Sequence, residues 1–295
     1  MNVTIGMIVL NEEEYIFKNL QQHYQHADRI VIVEGADKLY PGDRVTADGL
    51  STDATAELIR NFPDPDKKIQ FIQHGWCKRG GIEAKCELRN GYMERALQGL
   101  LIVIDADEFY RTDELKDILE KVRTLPRVAA WQFPQIHFWH DTTQFITGSY
   151  YDVAHCRFWQ VQRGDRYVSN HNSPERHGHA LRTMYTLRQD RRVVSAGLGL
   201  EKVCAPVCYH FGFCKKAENI ADKNQYYINR GERRSRSRYV RSRQAWFDEG
   251  AESKYQRLVV HRYGGLLPEC FVVQPTIAPA LQDAPAQIGL APAAT

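Results

Sequence analysis

Residues 101–110 read LIVIDADEFY, and this stretch decides the fold. Four apolar residues end abruptly in Asp105, Asp107 and Glu108. A strand that is apolar at every position belongs in the middle of a parallel sheet, covered on both faces. The segments before it fit that placement. Residues 3–10 are a β-branched run, and residues 13–26 put Ile16, Leu20 and Tyr24 on one helical face. Residues 29–33, RIVIV, are a second strand. Ser51, Thr52 and Asp53 form a polar start to a helix carrying Ala54, Leu58, Ile59 and Phe62. Residues 69–73 are a third strand, and residues 84–97 a helix with Leu88, Tyr92, Ala96 and Leu97 inward. This βαβαβαβ order predicts an α/β fold: a mostly parallel sheet with right-handed crossovers, flanked by helices.

Beyond Thr112 the spacing predicts a helix to about Arg123, then an aromatic strand over residues 129–138. Residues 139–200 read as an α+β region, and residues 217–263 as polar and helical. These shifts divide the chain into a catalytic domain over 1–215, a basic helical extension over 216–268 and an Ala/Pro-rich disordered tail over 269–295. Within the first, residues 1–110 hold one half of the site and 111–215 the acceptor half.

The chain has 295 residues, 43% hydrophobic and 25% charged, which suits a globular protein rather than a disordered one. No apolar run reaches the roughly 20 residues of a membrane-spanning helix, and the first residues do not read as a secretory signal. A cytoplasmic protein is expected, with contact to a membrane surface left open. Seven cysteines, an odd number, argue against a disulfide framework. The net charge is only +3, but residues 230–243, bounded by Arg230 and Arg243, hold seven arginines and one glutamate. That cluster is a solvated basic helix or a surface for an anionic partner.

Ligands of open α/β sheets sit beyond the carboxyl ends of the strands. Asn11, Glu12 and Glu13 follow strand one, Glu34 follows strand two, and Asp105, Asp107 and Glu108 follow strand four, all at one edge. Strand alternation puts Asp105 and Asp107 on the same side. Two carboxylates that close repel unless a cation lies beside them, and hard oxygen donors suit Mn²⁺ or Mg²⁺ carrying substrate phosphates.

With these residues in view, the chain resembles glycosyltransferase family 2 and its GT-A relatives, best over residues 3–110 and more weakly to about 230. The resemblance rests on Asn11-Glu12 after strand one, Glu34 after strand two, Gly49, Ser51 and Asp53, then Lys85, Arg89 and Asn90 on the next helix, and the Asp105-x-Asp107 motif. It departs at residues 36–48, a loop that separates Glu34 from the Ser-Thr-Asp motif where relatives have none. The resemblance implies a GT-A, Rossmann-like fold and transfer of a sugar from a nucleoside-diphosphate sugar. It implies a donor site drawing on Asn11, Glu12, Glu34, Asp53, Lys85, Arg89, Asn90 and Asp105. Glu34 would recognise the base or ribose, and Lys85 and Arg89 would neutralise the diphosphate. A second echo, CYHFGFCKKAENIADKNQYY at residues 208–227, implies a metal set of Asp105, Asp107 and His210, with Lys223 on a phosphate.

Inverting transfer needs a base for the acceptor hydroxyl. Asp141, Asp152, His171 and Glu175 are the candidates in the acceptor half, Asp141 first because it ends the aromatic strand. Trp139 and Trp159 are core residues or a sugar-stacking platform. The acceptor class stays open among glycan, lipid, protein and modified nucleic acid. Three other readings compete. Cys204, Cys208, His210 and Cys214 are a zinc set of unusual spacing. The arginine helix marks a nucleic-acid-binding protein or a DNA-modifying glycosyltransferase. A nucleotidyltransferase would use a similar sheet, but the acidic residues after strand one disfavour it.

Overall fold

The computed structural model describes residues 1–125, 128–147, 155–169, 171–177, 179–181, 184–186, 207–229 and 259–272. Asp152, Cys204, the arginine cluster over 230–243 and residues 273–295 lie outside the described residues.

The first half follows the expected alternation. β1 (Asn2–Val9), α1 (Ile16–His23), β2 (Arg29–Ala36), α2 (Thr55–Arg60), β3 (Ile69–Trp76), α3 (Ile82–Met93) and β4 (Gly99–Val103) come in order. β5 (Glu108–Phe109) and α4 (Thr112–Thr124) follow. The second half contributes β6 (Ala130–Phe133), β7 (Gln135–Trp139), β8 (Asp141–Thr147), β9 (His155–Val161), β10 (Glu175–Arg176), β11 (His179–Ala180) and β12 (Met184–Thr186). β13 (Cys208–Phe213), α5 (Ala217–Asn229) and β14 (Val259–Arg262) complete it.

The main sheet runs β12-β6-β9-β4-β1-β2-β3. β1 pairs in parallel with both β2 and β4, so the strand order reverses direction at β1. That reversal opens a crevice at the carboxyl ends of β1 and β4, where ligands of such sheets lie. β4 is sealed on both faces, as its composition predicts. Leu100 and Ile102 pack with α1 and α4 residues such as Leu20 and Leu115. Leu101 and Val103 pack with Leu88 and Tyr92 of α3.

A second sheet, β14-β8-β7-β13-β5, stands beside the crevice. The single aromatic strand expected over 129–138 is two strands in different sheets. Pro134 separates them: it has no N–H to give to a ladder, and its carbonyl accepts from the Cys208 N–H at 3.0 Å. Trp139 and Trp159 are both 2% exposed and belong to the core, so neither is a sugar platform.

Two C-terminal expectations need correction. The helical reading of 217–263 holds for α5, but residues 259–262 are β14, paired antiparallel with β8. The tail does not begin at 269. Glu269 accepts from Gln22 Nε2 at 2.6 Å and from the Thr112 N–H, and the Phe271 ring stacks on Phe211 at 4.3 Å.

Glu114 of α4 gives a pH test of this packing. It is buried, accepts from the Tyr209 hydroxyl at 3.2 Å on one oxygen, and has no described partner on the other. Burial, only partly opposed by that bond and by Arg111, pushes its carboxyl up to about 7. A carboxyl with a raised folded value favours the folded state at low pH, and that contribution fades as pH climbs from about 4.5 to about 7. Urea denaturation of wild type and Glu114→Gln at pH 5 and pH 8 should show the variant gaining on wild type at pH 8, on the order of 3 kcal/mol at most. Parallel stabilities at both pH values would rule this out.

Candidate active site

The cleft at the β1/β4 crevice is walled by Asn11 and Glu12 after β1, Asp105 and Asp107 after β4, and Lys85 and Arg89 on α3. Lys215, Asn219, Lys223 and Tyr226 close it from the segment after β13 and from α5.

Asp107 is its electrostatic centre. It is 2% exposed, and its Oδ2 lies 2.9 Å from Lys215 Nζ and 3.7 Å from Lys223 Nζ. Its Oδ1 lies 3.7 Å from His210 Nε2. Burial raises the carboxyl, but Lys215, Lys223 and His210 outweigh it and hold Asp107 well below the usual carboxylate range. Lys215 also reaches Glu12, at 2.7 and 2.6 Å from its two oxygens. Burial works against the lysine charge, yet Asp107 and Glu12 together raise its pKa. Burial wins at Glu12, which is pushed up to about 7 against the pull of Lys215.

Asp105 has other partners. The chain turns after Val103, with the Glu108 N–H donating to the Asp105 carbonyl at 2.9 Å, so strand alternation stops before the acids. Asp105 keeps 40% of its side chain exposed and lies 3.4 Å from Arg157 Nη2. Burial raises its carboxyl, and Arg157 and Arg89 more than reverse that. The two acids border one cleft but do not share one partner set, which corrects the same-side expectation. Glu108 turns inward: it is buried, paired with Arg157 and bonded by Gln135 Nε2 at 2.8 Å.

His210 arrives by sheet register. β13 pairs antiparallel with β5, placing His210 opposite Glu108 and beside Asp107. The same strand runs parallel to β7, placing His210 next to His137, with their Nδ1 atoms 2.9 Å apart. Burial lowers His210 to about 4 despite Asp107, and lowers His137 further, so both rings are neutral near pH 7. One Nδ1 must then donate to the other. When His210 is the donor, its Nε2 lone pair faces Asp107, as in a metal ligand held by an outer partner.

Gly212 keeps that space open. A Cβ there would stand 2.5–2.7 Å from the His210 ring and 3.1 Å from Asp107 Oδ2. A 3.7 Å gap is too long for a hydrogen bond and suits two ligands bridged by a cation. Asp107 and His210 therefore fit a divalent ion, with Asp105 the next acid along the rim. Cys208 and Cys214 do not converge with His210: Cys214 donates to the Asp141 carbonyl, and Cys208 contacts Gln135.

Several expected donor residues hold the scaffold. Glu34 is fully buried, accepting from the Ser51 N–H at 3.0 Å and Gln73 Nε2 at 2.9 Å, so it does not face the cleft. Asp53 accepts from the Thr55 and Glu13 N–H groups, and Asn90 exchanges two bonds with the Tyr167 backbone. Neither borders the cleft. Asn11 borders it while pinning the Arg44 carbonyl and the Thr52 N–H. The loop over 36–48 supplies what Glu34 does not: Asp37 and Tyr40 line the cleft. This loop is tied to α5 through Arg44–Asp222 at 2.5 Å, Tyr226–Asp37 at 2.8 Å and Asn229–Leu39 at 2.8 Å.

Among the described residues, none of the expected bases borders the cleft; Asp152 lies outside them. Asp141 is closed into a turn with the Thr143 N–H and hydroxyl, both at 2.7 Å. Glu175 is bonded by the Ser169 hydroxyl at 2.8 Å, and His171 stands in the turn before β10. The sequence reading missed Lys215, His137, Arg157, Asp37, Tyr40 and Tyr226. Lys215 alone had a signal, five residues after His210.

No helix among the described residues is long and apolar enough to cross a membrane. No curated protein matches the chain. Among solved structures, it is similar to S. aureus TarS at 15% identity and TM-score 0.33, over 46% of this chain and 22% of that one. It is also similar to the mannosyltransferase PcManGT from Pyrobaculum calidifontis, in complex with GDP-Man and Mn²⁺, at 21% identity and TM-score 0.34, over 45% and 35% of the two chains. A third is glucosyl-3-phosphoglycerate synthase from Mycobacterium tuberculosis, in complex with Mn²⁺, UDP and glucosyl-3-phosphoglycerate, at 12% identity and TM-score 0.30, over 46% and 44%. The chain thus spans less than half the length of each. The model of the family described as glycosyl transferase family 2 matches residues 4–182, more than half of this sequence. The chain belongs to glycosyl transferase family 2.

Proposed function

We propose that this glycosyltransferase takes its sugar from a nucleoside-diphosphate donor seated in the β1/β4 crevice, with the diphosphate over Asp107. The observation that carries this is the meeting of Asp107, Lys215, Lys223 and His210 in one cleft at the strand-order reversal. A departing nucleoside diphosphate gathers negative charge on its phosphate oxygens. Fixed cations in a place poor in water stabilise that charge strongly. Lys223 and Lys85 border the cleft as phosphate contacts, and Arg89 stands behind them with its guanidinium over the Tyr167 ring. Tyr40 and Tyr226, ring centres 5.6 Å apart, offer an aromatic edge for the nucleoside.

Mn²⁺ or Mg²⁺ bound here would be held by Asp107 and His210, with Asp105 beside them. It would supply charge to the leaving diphosphate. His137 keeps the His210 ring oriented, and Lys215 keeps Asp107 ionised and in place. Inverting transfer is the expected course. The solved structures with Mn²⁺ and a nucleotide or nucleotide sugar, although only distantly similar, are consistent with this donor class. A nucleotidyltransferase is set aside by the family match.

Asp107→Asn should abolish the Mn²⁺-dependent rise in melting temperature given by nucleoside-diphosphate sugars and lower turnover by at least about 100-fold. A thermal-shift screen with UDP- and GDP-sugars, with and without Mn²⁺, reads the first effect. No metal-dependent shift from any donor in wild type would count against the assignment. Gly212→Ala places a methyl group against His210 and should weaken Mn²⁺ binding and turnover by roughly 10- to 100-fold without unfolding the chain. Mn²⁺ titration with circular dichroism on the same sample checks it, and wild-type affinity in the variant would contradict the open-space argument.

A further inference from the structure

A second group of donors lies outside the cleft, where β3 meets α3. One ligand atom each from His74, Cys77 and Glu87 lie within 4.8 Å of one another. Among the described residues this is the one such group of three. The backbone is shaped to bring them together. The β2/β3 register shifts after Glu34, so that Gln73 faces Glu34 and Gly75 faces Gly35, which leaves His74 as the extra residue of a bulge. Bulges re-aim a side chain. Gly75 has φ +75°, and a Cβ there would meet the Asp48 carbonyl oxygen at 2.5 Å, so the turn depends on glycine. The bulge directs His74 Nε2 to within 2.9 Å of Glu87 Oε1. Cys77 follows directly after β3, its N–H held by the Ala36 carbonyl at 2.9 Å.

We propose that His74, Cys77 and Glu87 form a zinc site that anchors α3 to the end of β3, apart from the transfer cleft. The donor set is one nitrogen, one sulfur and one oxygen, the mixture a borderline-soft ion accepts. Tetrahedral zinc with bonds of about 2.0–2.3 Å sets its ligands roughly 3.3–3.8 Å apart, so the His74–Glu87 pair opens slightly from 2.9 Å in a cluster already within 4.8 Å. The Lys78 N–H lies 3.0 and 3.2 Å from the two Glu87 oxygens, so one oxygen can turn to the metal while the other keeps the amide. A surface His74–Glu87 ion pair alone would not call for a thiol at the same point.

Binding is balanced without redox change. Zinc takes a lone pair from the imidazole, the carboxylate and the thiolate, the thiol proton passes to solvent, and water fills the fourth position on the side of the part-exposed His74. The Cys77 thiol is buried and binds as thiolate, so zinc binding near pH 7 releases one proton. The consequence lies about half a turn to either side of Glu87 on α3, where Lys85 and Arg89 face the cleft.

The test uses the full chain, stripped of metal under reducing conditions and titrated with Co²⁺ and then Zn²⁺. A sulfur-to-cobalt absorption band saturating at one metal per chain, and bleached by zinc, is expected. Cys77→Ser should remove the band, and His74→Gln should weaken binding by more than about tenfold. Asp107→Asn should leave the band in place, which separates this site from the donor cleft. No sulfur band in folded wild type, or a band that survives in Cys77→Ser, would overturn the proposal and leave the transfer reading untouched.

Discussion

Lys215 holds an ammonium group against Glu12 and Asp107 in a place only 5% open to solvent. A charge so buried persists because it is paired, and removing one partner typically costs about 3–5 kcal/mol. The three residues come from distant parts of the chain: the end of β1, the turn after β4 and the segment before α5. Their meeting draws the C-terminal helix over the sheet and brings Lys223, Asn219 and Tyr226 to the cleft. The loop over 36–48 depends on the same closure, since its links through Arg44 and Asp37 run to α5.

The cleft is close to charge balance before any ligand arrives. Glu12, Asp37, Asp105 and Asp107 face Lys85, Arg89, Lys215 and Lys223, all lining one crevice. An incoming diphosphate adds negative charge, which a divalent ion between Asp107 and His210 would offset. The His137–His210 pair and the missing Cβ of Gly212 leave room beside Asp107 for such an ion.

The fold was legible because the strands carry it in composition. The all-apolar β4 and the helix spacing of α1, α3 and α4 each report burial directly. Pro134 marked a break in the aromatic strand that its apolar pattern concealed. Among site residues, Asp105, Asp107, Lys85, Arg89, Asn11, Glu12, His210 and Lys223 stand at or beside the cleft, because strand ends and one helix face are local features. Glu34, Asp53 and Asn90 look like ligand contacts in sequence, but each satisfies backbone groups of a neighbouring loop. His137 and Arg157 depend on register between strands far apart in the chain, which no local pattern encodes, and Lys215 had only its place after His210 as a signal. Asp141 and Glu175 lie in the acceptor half, yet their carboxylates are spent on local bonds to Thr143 and Ser169.

The most direct measurement is a crystal structure of the protein soaked with Mn²⁺ and a nucleoside diphosphate, with anomalous scattering used to locate the metal. A manganese peak between Asp107 and His210 is expected, with the diphosphate bridging it to the lysines of the cleft. A nucleotide bound elsewhere, or bound in the crevice without touching Asp107, His210, Lys215 or Lys223, would contradict it.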